Sequence, residues 1–409
     1  MIFNSITSFF RKKTYLIPLI LYLIICFIYF YTLLLINKNI LRPTNSNYFI
    51  YLLDAFAHRR FYIVTSDHYD LSLFQNKWYM YWGPAPALLI FPFYLLFHLQ
   101  ASNILYTAIG ATMNVALLYF VIQEFKKFFT LSLSLTAEGF LLLSFSLASP
   151  NFFLSVFGQI WATSQIFATI YLLLCYLFYF QFLNQGKDYQ LILSVVFFNL
   201  ACLSRYSLVF NGVLFIYLVS YYKILRRALP AKFIWYLALP TLASISLQAL
   251  YNYLRFHNVL EMGIRFQIGS SRYNAIVKSN AILSFHYVLH NIYYYFLNVM
   301  HFDLEGNSVF LFYPALLLLP VLFCKRKYVD RQRLAFLIIG GITIGLNVSF
   351  LMLYFATGWA QLGNRYFFDV IPLIFLLIVF SLEYIPFTIQ ILLLLWGIGI
   401  NFCGILVFH

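Results

Sequence analysis

The chain has 409 residues, of which 63% are hydrophobic, 22% aromatic and 9% charged, whereas a soluble domain carries about 25% charged residues. Too few charges remain to cover a water-facing surface. A soluble domain, a disordered chain, a collagen-like chain and a disulfide scaffold are therefore excluded, and a mean hydropathy of +0.84 leaves a polytopic membrane protein. The net charge of +14, from 26 Lys and Arg against 12 Asp and Glu, fits cytoplasmic loops that collect basic residues. It does not call for nucleic acid, since no basic stripe interleaved with exposed aromatics stands outside an apolar run. Cys26, Cys175, Cys202, Cys324 and Cys403 each lie in or beside an apolar run without a CxxC pair. They read as lipid- or core-facing thiols, not as a disulfide or zinc set.

In chain order, Arg11, Lys12 and Lys13 precede an apolar run from Tyr15 to Asn37. No small-residue cleavage site follows, so this is an uncleaved first span with a cytoplasmic N-terminus. Residues 38–100 are mixed and hold Asp54, His58, Arg59, Arg60, Asp67, His68, Asp70 and Lys77. Their end, Pro86 to Leu99, is apolar but short and carries Pro92, which suits an interfacial helix. Further spans are expected at about 102–123, 131–149, 162–182, 190–204, 207–222, 233–254, 309–323, 334–356, 366–384 and 386–408, each close to the roughly 20 residues a bilayer requires.

With about eleven spans, the short inside loops hold 15 of the 26 basic residues, in line with the positive-inside rule. Asp54, Asp67, Asp70, Glu261, Asp303, Glu305 and Asp369 fall in or beside outward segments, while Glu138 reads as lying within a span. The expected architecture is one all-α integral membrane domain over residues 1–409. It has two irregular outer loops, about 38–100 and 255–308, and no soluble C-terminal domain. Long polar loops are where function concentrates.

Four stretches could carry chemistry. In YLLDAFAHRRFYI, Asp54 stands near the membrane surface, where an acid is costly unless paired or working. Either it forms an interfacial ion pair with Arg59, or it is a base or metal ligand beside phosphate-binding arginines. In DHYDLSLFQNKWYMYWGPAPAL, Asp67, His68 and Asp70 could ligate a divalent ion or be a solvated loop. Trp78, Tyr79, Tyr81 and Trp82 suit an interface belt or a sugar-stacking platform. In YNYLRFHNVLEMG, Arg255 is a snorkelling arginine or a headgroup ligand. In GWAQLGNRYFFDVIP, Arg365 and Asp369 stand four apart. On a helix they would pair; otherwise Arg365 is free to grip a phosphate. Gln159 and Arg205 are further positions that could face a cavity. No Walker loop, GxGxxG, HExxH, GxSxG or zinc spacing occurs, which disfavours those ATPase, nicotinamide, zinc-protease and serine-hydrolase classes.

At DAFAHRRFYI, NKWYMYWGPAPALLIFP, LYNYLRFHNVLEMG and GNRYFFDVIP the chain resembles the GT-C superfamily of polytopic glycosyltransferases. Within it, the resemblance is to bacterial proteins related to protein O-mannosyltransferases and to lipid A aminoarabinose transferase. It spans roughly residues 15 to 375 in short blocks. It implies an enzyme that takes a sugar from a polyprenyl-phosphate donor and passes it to a lipid, glycan or protein acceptor at the outer face. The early loop acid, here Asp54, is then the catalytic base, and Arg365, Arg59 and Arg255 are candidates for the donor phosphate. Many relatives carry a second acid beside the first; Ala55 and Phe56 stand there in this chain. A metal or second acid would have to come from Asp67, Asp70 or His68, and Trp78 and Trp82 would stack on sugar. A divalent metal is not required by the sequence. The expected setting is a bacterial inner membrane, with the bilayer and the lipid donor as partners and no nucleic acid. The competing class is a transporter, a lipid flippase or a non-catalytic membrane subunit. Transporters place ionisable residues mid-span, a position that Glu138 alone among the acids would occupy.

Overall fold

The computed structural model of the chain describes residues 16–408 except 38, 269–274, 277, 278, 280, 325–329 and 360. The basic residues Arg11–Lys13 and Lys325–Lys327, on which part of the orientation argument rests, lie outside the described residues. Helix α1, Leu16–Ile36, buries only Ile25, Tyr29, Thr32 and Leu33. That i, i+4, i+7 stripe faces the bundle, while Leu16, Leu23 and Phe27 point outward. The Tyr29 hydroxyl donates to Ser146 O at 2.5 Å and accepts from Asn151 Nδ2 at 2.8 Å, so an apolar helix is keyed to its neighbours by one buried phenol.

Short α2, Tyr48–Ala57, and α3, Pro86–Phe97, enclose a hairpin of β1, Ser72–Phe74, and β2, Lys77–Tyr79. Then follow α4 (Asn103–Phe128), α5 (Leu135–Leu147), α6 (Pro150–Ser155), α7 (Ile160–Gln185) and α8 (Asp188–Ser204). A 3-10 stretch, Tyr206–Phe215, continues into α9, Ile216–Ile224, and α10 spans Lys232–Phe256. The second irregular segment holds α11 (Val288–Ile292), and beyond it come α12 (Val309–Phe312), α13 (Leu319–Cys324), α14 (Arg331–Leu353), α15 (Ile371–Val379) and α16 (Phe387–Phe408).

Among the described residues, seven helical segments are long and apolar enough to cross a membrane: α1, α4, α7, Tyr206–Ile224, α10, α14 and α16. Four expected spans take other forms. The 131–149 run is a 13-residue α5 followed by Pro150. The 190–204 run is a 17-residue α8. Pro314 and Pro320 break 309–323 into α12, a 3-10 turn and α13. The 366–384 run becomes a 3-10 turn and α15, every residue of which is buried. A helix apolar on all sides suits a protein core as well as lipid, so composition alone did not separate the two. Pro86–Phe97 is, as expected, a 12-residue helix, too short to cross a bilayer.

Two polar rims bound the apolar bundle. At one, Asn103 Nδ2 donates to Gly158 O at 2.6 Å and Asn47 Nδ2 to Ala101 O at 2.7 Å, tying segment 38–100 to the helix ends. At the other, Lys232 pairs with Asp188 at 2.6 Å, Asn184 donates to Glu124, and Lys126 pairs with Glu138. Glu138 therefore needs correction. The Ser134 side chain caps α5 and places Glu138 in its first turn, where Lys126 and Gln123 hold it. It is a helix-end ion pair, and the mid-span acid that a transporter reading required is removed.

Candidate functional site

The site forms where both irregular segments meet the helix ends of the first rim. The β1–β2 turn places Gln75 and Asn76 at φ 48° and 58°, the two left-handed residues of a tight hairpin turn. The hairpin reaches the second segment: Ser72 Oγ donates to Gly263 O at 2.7 Å, and Ser72 pairs with Gln267 as an antiparallel bridge. Gly263 sits at φ 98°, where an added Cβ would meet the Phe256 ring at 2.7 Å, so only glycine permits this approach. Asp70 stands at the hairpin's entry with φ 61° and accepts from Gln267 Nε2 at 3.1 Å. Burial pushes its carboxyl up to about 6, and Asp67 adds to the rise, while Arg365 and Gln267 oppose it.

Arg365, within electrostatic reach of Asp70, opens the 3-10 turn Arg365–Asp369. Two amide side chains brace its approach. Gln361 Nε2 donates to Glu305 O at 2.7 Å and Thr357 O at 3.0 Å. Asn364 Nδ2 donates to Tyr294 O and Asn307 O, both at 2.8 Å. Arg365 itself has its N–H on Gln361 Oε1 at 3.1 Å and its carbonyl on Gln165 Nε2 at 2.8 Å. Its guanidinium carbon lies 4.0 Å from the centre of the Trp161 ring and 5.3 Å from that of Tyr366, in cation–π contact. The residue is 6% exposed, yet its Nε and Nη1 have no hydrogen-bond partner. Leaving buried donors unmade costs about 1–3 kcal/mol, more for a charged group, and the described residues supply no acceptor for these two nitrogens.

The structure reassigns Asp369. It does not pair with Arg365. Arg205 Nε and Nη2 donate to its two oxygens at 2.8 and 3.1 Å, and Ser207 Oγ donates at 2.5 Å. The four-residue spacing pairs side chains on an α-helix, but these residues bound a 3-10 turn, which eclipses i and i+3 instead.

The other sequence candidates are placed elsewhere. Asp54 is near the C-terminal end of α2, about 9 Å of helix rise beyond Tyr48. Its oxygens are held by Arg60 at 3.1 Å, His58 at 3.4 Å and the Tyr94 hydroxyl at 3.4 Å. The ion-pair partner is thus Arg60, whose Nε remains unpartnered, and not Arg59. Arg59 is exposed at φ 55°, because the chain turns left-handed as α2 ends and swings its side chain away. Arg255 is buried at 1% exposure. Its nitrogens donate to Met80 O, Asn252 Oδ1 and Tyr251 O and stitch α10 to the first loop. His68 stacks on Trp78 with ring centres 4.1 Å apart, which occupies one face of that indole. Asp67 Oδ1 accepts from Tyr69 N at 3.0 Å. Among the described residues no three His, Cys, Asp or Glu side chains gather as a metal set, so Asp67, His68 and Asp70 do not converge as a ligand trio. Trp82 packs against the core with its Nε1 unpartnered.

Sequence reasoning did not single out Trp161, Gln165, Ser207, Gln267, Gln361 or Asn364. The neutral amides carried no charge signal, and their roles rest on contacts between distant segments. Arg205 alone was marked, by its position between two apolar runs.

This arrangement of helices and loops is found in solved structures of other proteins. It is shared with ArnT from Cupriavidus metallidurans in the apo state, with a TM-score of 0.53 at 14% identity over 91% of this chain and 62% of that one. A second ArnT structure, bound to undecaprenyl phosphate, matches with a TM-score of 0.50 at 16% identity over the same shares. The Archaeoglobus fulgidus oligosaccharyltransferase tethered with an acceptor peptide matches with a TM-score of 0.56 at 14% identity, over 97% of this chain and 55% of that one. The chain therefore spans less than two thirds of the length of these proteins, and the likeness is one of fold. No family model and no curated protein matches its sequence.

Proposed function

We propose that this chain is a membrane glycosyltransferase that moves a sugar from a polyprenyl-phosphate donor to an acceptor at the outer face of the membrane. The observation that carries the reading is Arg365, a buried guanidinium whose Nε and Nη1 are unpartnered, within electrostatic reach of an acid that burial has made a better base. The fold supports it, since one neighbour of the same fold binds undecaprenyl phosphate.

In this reading the donor phosphate is received by the Arg365 guanidinium, which Trp161 and Tyr366 hold in place. Asp70 accepts the proton as the acceptor hydroxyl loses it. The acceptor oxygen bonds to the anomeric carbon, the bond from that carbon to the phosphate oxygen breaks, and its electron pair leaves with the phosphate on Arg365. A single displacement inverts the anomeric centre. A base near neutrality suits proton abstraction, which favours Asp70 over Asp54, whose oxygens are already engaged by Arg60, His58 and Tyr94. Trp78 and Trp82 are the candidates for sugar contact.

The proposed setting is a bacterial inner membrane, with the N-terminus in the cytoplasm, residues 38–100 outside and the chain forming one membrane domain. Cysteine labelling from outside should modify Asp67→Cys and spare Arg226→Cys; the reverse pattern overturns the orientation. The activity is tested by mass spectrometry of polyprenyl-linked sugars and surface glycans with and without the gene. Loss of a surface sugar together with build-up of its lipid-linked form is expected, and unchanged pools of both refute the transferase.

A further inference from the structure

Asp70 is fixed by contacts from two distant parts of the chain. From α2, the Tyr48 hydroxyl donates to Tyr69 O at 2.6 Å and pins the loop that leads into Asp70. Asp70 itself takes φ 61°, a left-handed bend that Asp tolerates better than most residues. From the second irregular segment, Ile268 N donates to Leu71 O at 3.3 Å, one residue past the bend, and Gln267 Nε2 donates to Asp70 Oδ1 at 3.1 Å across 197 positions of chain. The docking of that segment has further ties that do not use the Gln267 amide: Ser72 and Gln267 form an antiparallel bridge, and Ser72 Oγ donates to Gly263 O at 2.7 Å. The Gln267 side chain can therefore be changed while the docking contacts remain. The charged and titratable groups that bear on Asp70 are Arg365 on the 3-10 turn, Asp67 and Tyr69 on its own loop, and Tyr48 on α2.

We propose that Gln267 is a positioning residue for the base: it holds Asp70 Oδ1, fixes the plane of the carboxyl and leaves Oδ2 as the atom that takes the proton of the acceptor hydroxyl. The proposal rests on the glycosyl-transfer reading and deepens it. A hydrogen bond donated to the ionised form favours that form, whereas burial disfavours it. The two act against each other on Asp70, and burial is the stronger. A cation in place of Gln267 would draw the carboxyl further down and leave a poorer base. A side chain without a donor would let burial carry it further up, so that less of it is ionised at neutral pH. The neutral amide stands between these limits. Because the carboxyl comes from the first irregular segment and its donor from the second, the base is complete only where the two segments are docked.

The test reads the Asp70 carboxyl directly. Dicyclohexylcarbodiimide, an apolar reagent that modifies protonated carboxyls, is applied to the full chain in phosphatidylcholine nanodiscs between about pH 4 and 9, and modification of the peptide holding Asp70 is followed by mass spectrometry. In the wild type it should fall as pH rises through about 6. Gln267→Met keeps the side-chain length and loses the donor, and its midpoint should lie about one pH unit or more higher. Gln267→Glu keeps the shape, sets a second acid beside the first and should raise the midpoint as well. A loop that had merely loosened would hydrate Asp70 and lower the midpoint, so a rise separates positioning from a structural brace. A midpoint that is unmoved or lowered in either folded variant overturns the proposal, and each variant decides it alone. The reagent reads Asp70 whether or not sugar is transferred, so a failure of the glycosyl-transfer reading shows in the lipid-linked sugar pools and not in this titration.

Discussion

Asp54 and Asp70 belong to the same irregular segment, yet the fold treats them in opposite ways. Asp54 ends a short helix, is partly exposed, and has its oxygens answered locally by Arg60, His58 and Tyr94. Asp70 sits at a left-handed bend, accepts from the neutral Gln267 side chain, and feels burial more strongly than the charge of Arg365. A carboxylate surrounded by its own partners has little left to give a substrate. One that is desolvated opposite an under-coordinated cation has both a tuned proton affinity and a charge to work against. Proximity in sequence to the first span therefore says less about an acid's role than the surroundings it folds into.

The contrast can be broken most directly at the cation. Arg365→Lys keeps the charge but loses the planar fork, and Arg365→Ala loses both. Donor affinity, read with decaprenyl phosphate, should fall on the order of 100-fold in the Ala variant, the size expected for a lost charge-assisted pair, and less in the Lys variant. Unchanged affinity in Ala would remove Arg365 from the site.

Asp70→Asn should bind donor but lose turnover by about 10²–10⁴-fold, the usual share of general-base catalysis. The pH dependence has a definite sign. The base form is the ionised one and the carboxyl sits at about 6, so kcat/KM should climb as pH rises through that value and level off above it. Asp70→Asn should flatten the climb. A wild-type profile flat from pH 5 to 8 would count against Asp70 as the base.

Asp54→Asn sharpens the comparison from the other side. With the pair only partly buried, its stability effect should be about 1 kcal/mol or less, read from thermal melting, and turnover should stay within about tenfold, the rate equivalent of that energy scale. A loss as large as that of Asp70→Asn would hand the base role back to Asp54. The smallest effect belongs to the far rim. Lys232→Met breaks the exposed pair with Asp188 and should leave donor binding unchanged; a measurable loss there would show that the two rims are coupled.

The membrane class was legible in composition alone, because 9% charge cannot clothe a soluble surface. So was the grouping of the acids Asp54, Asp67, Asp70 and Asp369 with the polar segments. Other features were not. Nine consecutive buried apolar residues in α15 look like lipid-facing sequence, since hydropathy reports aversion to water and not what replaces it. Arg365 and Asp369 look like a helical pair, but that rule assumes 3.6 residues per turn, and the chain chose a 3-10 turn whose acid is claimed by Arg205, 164 positions away. That distant partner holds both oxygens of Asp369, and Arg365 Nε and Nη1 are left without an acceptor among the described residues. Local spacing limits which side chains are able to meet; long-range packing chooses among them, because the cost of a buried unpaired charge is settled by whichever residues the whole fold brings within reach.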